Sequence, residues 1–154
     1  MVGAFFKEKD MKSKLKWLAL ISWMCIIFLF SAQTGQESSQ SSGLIEQLLH
    51  YFSFIPSSIF GIELGIIIRK GAHFTEYMIL YGLMFNVMKD QLSFKKSLVF
   101  SLIGTFLYAC SDEIHQYFVP GRACLVSDVL IDTSGAFLGM VLIFLLNTWC
   151  QKSN

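Results

Sequence analysis

From Trp17 to Ala32 the chain reads WLALISWMCIIFLFSA, without one charged side chain. Three further apolar stretches follow, at about Ile66–Met88, Leu98–Phe118 and Asp128–Trp149. These runs limit the fold more than any other feature. A helix needs roughly 20 residues to cross a hydrocarbon core, and the last two stretches reach that length. The first is slightly short and recruits Leu15 and Gln33. The chain has 154 residues, 54% of them apolar and 15% charged, where a soluble domain carries about 25% charged. A soluble core of this size cannot cover so much apolar surface, so lipid is the expected solvent.

The expected fold class is therefore all-α: a polytopic membrane protein with a bundle of four transmembrane helices plus a short amphipathic extracytoplasmic helix. A basic cytoplasmic N-terminus (1–16), a single transmembrane domain (17–149) and a cytoplasmic tail (150–154) make up the chain. A signal peptide is the alternative for the first stretch. Cleavage after Ala32 would put Phe30 at −3, where a small residue is needed, so an uncleaved helix is expected.

Lysine and arginine placement sets the orientation. Lys7, Lys9, Lys12, Lys14, Lys16, Lys89, Lys95, Lys96 and Lys152 fall on one side, and Arg69, Lys70 and Arg122 on the other. Nine against three places both termini in the cytoplasm, in a multi-pass protein of the cytoplasmic membrane. The segment Gln33–Ser58 then lies outside. Its start, QTGQESSQSSG, has the composition of a flexible polar loop. The following LIEQLLHYF spaces Leu44, Ile45, Leu48, Leu49 and Phe52 as an amphipathic helix, either resting on the outer leaflet or packed as a lid, with Pro56 ending it. His50 reads as an exposed polar position there. A net charge of +1 and the lack of a basic stripe exclude nucleic acid as a partner. Cys25, Cys110, Cys124 and Cys150 form no CxxC pair and read as buried small hydrophobes.

Against this background RKGAHFTEYM, residues 69–78, is out of place. Arg69, His73 and Glu76 recur at i, i+4, i+7 and share one helix stripe. Tyr108, Asp112 and His115 repeat that spacing in the third stretch. Asp128, Asp132, Gly135 and Gly139 align in the fourth, where the glycines form a GxxxG step that admits a second helix closely. With both termini inside, all three polar patches converge on the outer membrane face. Five carboxylates (Glu76, Asp112, Glu113, Asp128, Asp132) oppose three cations, leaving −2 with both histidines neutral. A charge at mid-bilayer costs about 2.5–3.5 kcal/mol on insertion scales, so these groups need partners.

Three chemistries fit the patch. One is an ion-pair network locking helices together. Another is a metal site, since His73-x-x-Glu76 and Asp112-x-x-His115 each set two ligands on one helix face. Arg69 beside His73 opposes a divalent cation, so no metal and no cofactor is assigned. The third is acid–base work on an amphiphile held by Arg69, Lys70 and Arg122.

RKGAHFTEYMILYG, YACSDEIHQYFVPGR and SDVLIDTSGAFLG together resemble the VanZ-like family of bacterial membrane proteins, and FLFSAQTGQESSQSS resembles the segment after that family's first helix. The likeness spans Trp17 to Trp149. It implies a small multi-helix membrane protein related to one associated with low-level resistance to teicoplanin, a lipid-tailed glycopeptide. Matching motifs carry over Lys70, His73, Glu76 and Tyr77, then Asp112, Glu113, His115, Gln116 and Arg122, then Asp128 and Asp132. The expected roles are acid–base for His73, Glu76, Asp112, His115 and Asp128. Arg69, Lys70, Tyr77, Glu113, Gln116, Arg122 and Asp132 are expected to bind the substrate. The expected partner is a membrane lipid or lipid-linked envelope precursor. Two classes of function fit: an enzyme on such a precursor, or a non-catalytic binding or scaffold protein whose charged cluster is structural.

Overall fold

The computed structural model describes residues 2–52, 56 and 58–152, with side chains given for 11–49, 51, 56 and 58–152. Five helices, α1 (Val2–Ser31), α2 (Gly35–Phe52), α3 (Leu64–Met88), α4 (Phe94–Tyr117) and α5 (Val126–Lys152), form the fold, with one hairpin, β1 (Ser58–Ile59) and β2 (Ile62–Glu63), ahead of α3. Among the described residues, three segments are long and apolar enough to cross a membrane: Met11–Ser31, Phe94–Tyr117 and Val126–Lys152. α3 has comparable length but carries Arg69, Lys70, His73 and Glu76.

α3 is the hub on which α1, α2, α4 and α5 all pack. Its Tyr77, Leu80, Tyr81, Met84 and Val87 are buried among them. α4 and α5 are built largely inside out relative to a soluble bundle. α4 turns Ser97, Ser101, Thr105 and Ala109 inward, and Val99, Phe100, Ile103 and Leu107 outward. α5 buries Asp132, Gly135, Ala136 and Gly139 while exposing Leu130, Phe137, Leu145 and Leu146. Small residues inside allow close helix approach, and apolar ones outside match hydrocarbon. Thr105 and Ser97 satisfy their hydroxyls on carbonyls four residues back. Lys16 reaches Asp90 with its Nζ 2.6 Å from Oδ2, tying α1 to the α3–α4 turn.

Several expectations change. The QTGQESSQSSG stretch is helical from Gly35, because Thr34 and Glu37 make a capping box: Thr34 N–H donates to Glu37 Oε2 at 2.8 Å, and Glu37 N–H to Thr34 Oγ1 at 3.3 Å. Ser39, Ser41 and Ser42 fold their hydroxyls back onto backbone carbonyls, as Ser39 does to Gly35 at 2.8 Å. α2 lies against α3 with Ser38 and Ser42 buried, and it presents Leu44 and Leu48 outward. The helix ends at Phe52, ahead of Pro56; residues 53–55 and the side chains of His50 and Phe52 lie outside the described set. The hairpin was not legible from composition: its turn uses Phe60 and Gly61 at φ 53 and 79. Cys25, Cys124 and Cys150 are exposed and Cys110 half-buried, all free, so none is the buried hydrophobe expected.

Candidate functional site

The site begins with two glycines. A Cβ on Gly135 would fall on the Phe74 backbone carbonyl, and one on Gly139 would lie 3.2 Å from the Met78 carbonyl and 3.1 Å from the Tyr81 ring. Only bare backbone lets α5 come this near α3. Once there, the aspartates one and two turns earlier on α5 meet the charged turn of α3. Lys70 Nζ sits 2.6 Å from Asp128 Oδ1. His73 Nδ1 sits 3.4 Å from Asp132 Oδ1, at ion-pair distance but outside hydrogen-bond geometry.

α4 adds Asp112. Ligating atoms of His73, Asp112 and Asp132 all lie within 4.8 Å of one another. Asp132 is fully buried and Asp112 only 4% exposed. Gln116 Nε2 donates to Asp112 Oδ2 at 3.4 Å, whereas neither oxygen of Asp132 has a hydrogen-bond partner. Glu113, roughly 100° further round the helix, faces another neighbour. Its Oε2 accepts the Leu125 N–H at 2.8 Å and so fixes the approach to α5.

A cavity of about 160 Å³ opens beside this cluster, between α1, α2, α3 and α4. Arg69, His73, Glu76, Asp112 and Arg122 supply its charged wall; Ile27, Phe30, Ile45 and Ile68 supply an apolar one. Arg122, in the α4–α5 turn, donates from Nε to the Gln33 carbonyl at 3.1 Å and from Nη2 to the Phe30 carbonyl at 3.3 Å. It thereby caps the C-terminal end of α1. Burial first, then neighbouring Arg69, pushes its guanidinium below the ordinary value, yet an arginine stays protonated.

Of the residues expected at the site, Arg69, His73, Glu76, Asp112 and Arg122 line the cavity, with Asp132 packed behind His73. Lys70 and Asp128 pair with each other beside it. His115 turns the other way: its ring lies 4.6 Å from the Phe28 ring, and Nδ1 is 3.5 Å from Ser31 Oγ. The H-x-x-E and D-x-x-H pairs therefore do not close into one four-ligand set. Tyr77 is fully buried, with its ring 6.3 Å from that of Tyr108. Glu113 and Gln116 support the site from α4 without lining the cavity.

Sequence reasoning passed over Ser31, Ser38 and Ser42, which line the cavity. It also passed over Trp23, whose Nε1 donates to the Glu76 carbonyl at 3.0 Å. For Ser38 and Ser42 the one available signal was the T-x-x-E capping box, which starts α2 early enough to include them. A family model described as VanZ/LLP1 matches residues 16–147. No curated protein and no solved structure matches the chain.

Proposed function

The chain belongs to the VanZ/LLP1 family, and on that footing we propose that it is a four-span protein of the bacterial cytoplasmic membrane that takes an anionic, lipid-linked envelope component into its cavity. The single observation that carries this is the cavity's two-sided wall. Arg69 and Arg122 stand with His73, Glu76 and Asp112 on one side, and isoleucines with Phe30 on the other. Two guanidiniums suit a phosphate or carboxylate. A volume of about 160 Å³ admits a head group rather than a drug-sized molecule, which needs roughly 300–1,000 Å³. The hydrocarbon tail would then lie along the apolar exterior.

α3 is the fourth span in this reading. Its charges are tolerated because they face protein, as intramembrane charges usually do. The lysine-rich end, with Lys16 on Asp90, is cytoplasmic. The Arg69–Arg122 end faces outward, with the leucines of α2 against the outer leaflet. A role in the response to teicoplanin or other envelope stress follows from the family. A non-catalytic scaffold is the second reading, favoured by the Lys70–Asp128 pair that locks α3 to α5.

The test is lipid retention by the full chain in detergent, read by native mass spectrometry against phosphatidylglycerol and phosphatidylcholine. Wild type is expected to hold the anionic lipid, and Arg69→Gln to lose most of that preference. Equal retention of both lipids by wild type would refute the reading. Asp112→Asn then separates the two classes: loss of the cellular phenotype with retained lipid and fold means chemistry, and full phenotype means binding or scaffolding.

A further inference from the structure

We propose that His73, Asp112 and Asp132 form a site for one divalent transition-metal ion, of the Zn²⁺ or Mn²⁺ class, where α3, α4 and α5 meet. Three ligating atoms from three helices lie within 4.8 Å of one another. Two ligands each about 2.1 Å from a tetrahedral ion stand about 3.4 Å apart, and His73 Nδ1 stands 3.4 Å from Asp132 Oδ1. His73 and Asp112 also line the cavity, so an ion here keeps a coordination position open to a ligand in it.

A second observation is independent of that spacing. Asp132 is fully buried, and both its oxygens lack a hydrogen-bond partner, as does the His73 Nδ1 that faces them. Its one ion-pair partner among the described residues, His73 at 3.4 Å, offsets its charge only when protonated, and a buried carboxylate faced by a neutral imidazole alone costs several kcal/mol. Among the described ion pairs, no lysine or arginine compensates this one. Lys70 is engaged by Asp128, and Arg122 by the carbonyls of Phe30 and Gln33. A dication bound by both aspartates and a neutral imidazole removes the deficit.

The donor set selects the ion. One imidazole nitrogen with two carboxylates and no thiolate fits Zn²⁺ or Mn²⁺ better than Ca²⁺ or Mg²⁺, which prefer oxygen alone. The cation Arg69 does not forbid it. Glu76 and Asp112 in the cavity wall, with Asp132 behind His73, oppose Arg69 and Arg122, a net −1 with His73 neutral. One divalent ion takes the group to +1, the sign an anionic head group needs. The metal site goes beyond the lipid reading and does not depend on it.

The test uses the full chain, purified in detergent without a polyhistidine tag, stripped with EDTA and titrated calorimetrically with Zn²⁺ and Mn²⁺. One ion per chain is expected for at least one metal. Asp132→Asn and His73→Gln are each expected to weaken it by more than the roughly 10–100-fold that losing an outer-sphere partner costs. Asp90→Asn, at the far end of the bundle, leaves binding unchanged. X-ray absorption on wild type adds a readout immune to misfolded variants: one imidazole with oxygen ligands and no sulfur. Absence of stoichiometric binding, sulfur in the shell, or folded Asp132→Asn and His73→Gln variants that bind like wild type each overturns the site. Lipid retention by the stripped protein is measured separately, so either proposal can fail alone.

Discussion

Replacing Gly135 with alanine tests the contact that assembles the site. The new methyl meets the Phe74 carbonyl, a backbone atom in mid-helix that cannot swing aside. α3 and α5 must part or tilt. Overpacking costs about 1–3 kcal/mol, and a backbone-on-backbone clash belongs at the upper end. A loss of about 3 kcal/mol is roughly a 150-fold fall in the folded-to-unfolded ratio, at tenfold per 1.4 kcal/mol. Gly139 is the internal standard. Its added methyl lies 3.1 Å from the Tyr81 ring and 3.2 Å from the Met78 carbonyl. A shift of a few tenths of an ångström relieves it, for about 1 kcal/mol. Both variants are one methyl added to the same helix one turn apart, so propensity cancels between them. The assay is the midpoint of SDS-driven unfolding in mixed micelles, followed by circular dichroism. Gly135→Ala should unfold at clearly lower SDS than Gly139→Ala, which should trail wild type slightly. Equal midpoints, or the reverse order, would show that the Gly135–Phe74 approach is not what sets the α3–α5 distance.

Glu113→Ala should destabilise the fold by about 1–3 kcal/mol, because it leaves the part-buried Leu125 N–H without its acceptor. Glu113→Gln, which keeps an amide oxygen there, should cost much less in the same SDS titration. The Thr34 N–H, and then its hydroxyl, hold the Glu37 carboxyl below its ordinary value. That contribution is whole above the ordinary glutamate pKa and is lost as pH falls through the depressed folded value. Hydrogen exchange at the first turn of α2 should therefore quicken, relative to the rest of the helix, only under acid. Thr34→Ala should make it fast at all pH values, and a pH-independent ratio in wild type would contradict the capping role.

The polar cluster was legible because its spacing is helical and its background apolar. Arg69, His73 and Glu76 had to share a face, as did Asp128, Asp132 and the two glycines. The sequence did not say which helix would fill the glycine groove. A short turn joins α5 to α4, yet the closest approach is to α3, fixed by where Phe74 and Met78 present bare carbonyls. His115 shows the limit of stripe reasoning. It shares a face with Asp112, yet one turn toward the helix end the neighbour is Phe28 of α1 rather than α3. The first half of α2 was hidden by composition. Serine and glutamine suggest a loop unless the box at Thr34 and Glu37 is weighed, and a serine-lined face looks unlike a packing face until a polar cavity lies beneath it.

Two loops distant in sequence are joined at Gly35, whose N–H donates to the Pro120 carbonyl at 3.1 Å, with Gly121 at φ 75 giving the turn room to press against it. Arg122 adds two bonds to the same corner. The first end of α2 is thus pinned to the α4–α5 turn like a door to its post. A crosslink at this corner would therefore join groups already held together, whereas one from α3 to the far end of α2 would add a new tie across the cavity's α2 wall.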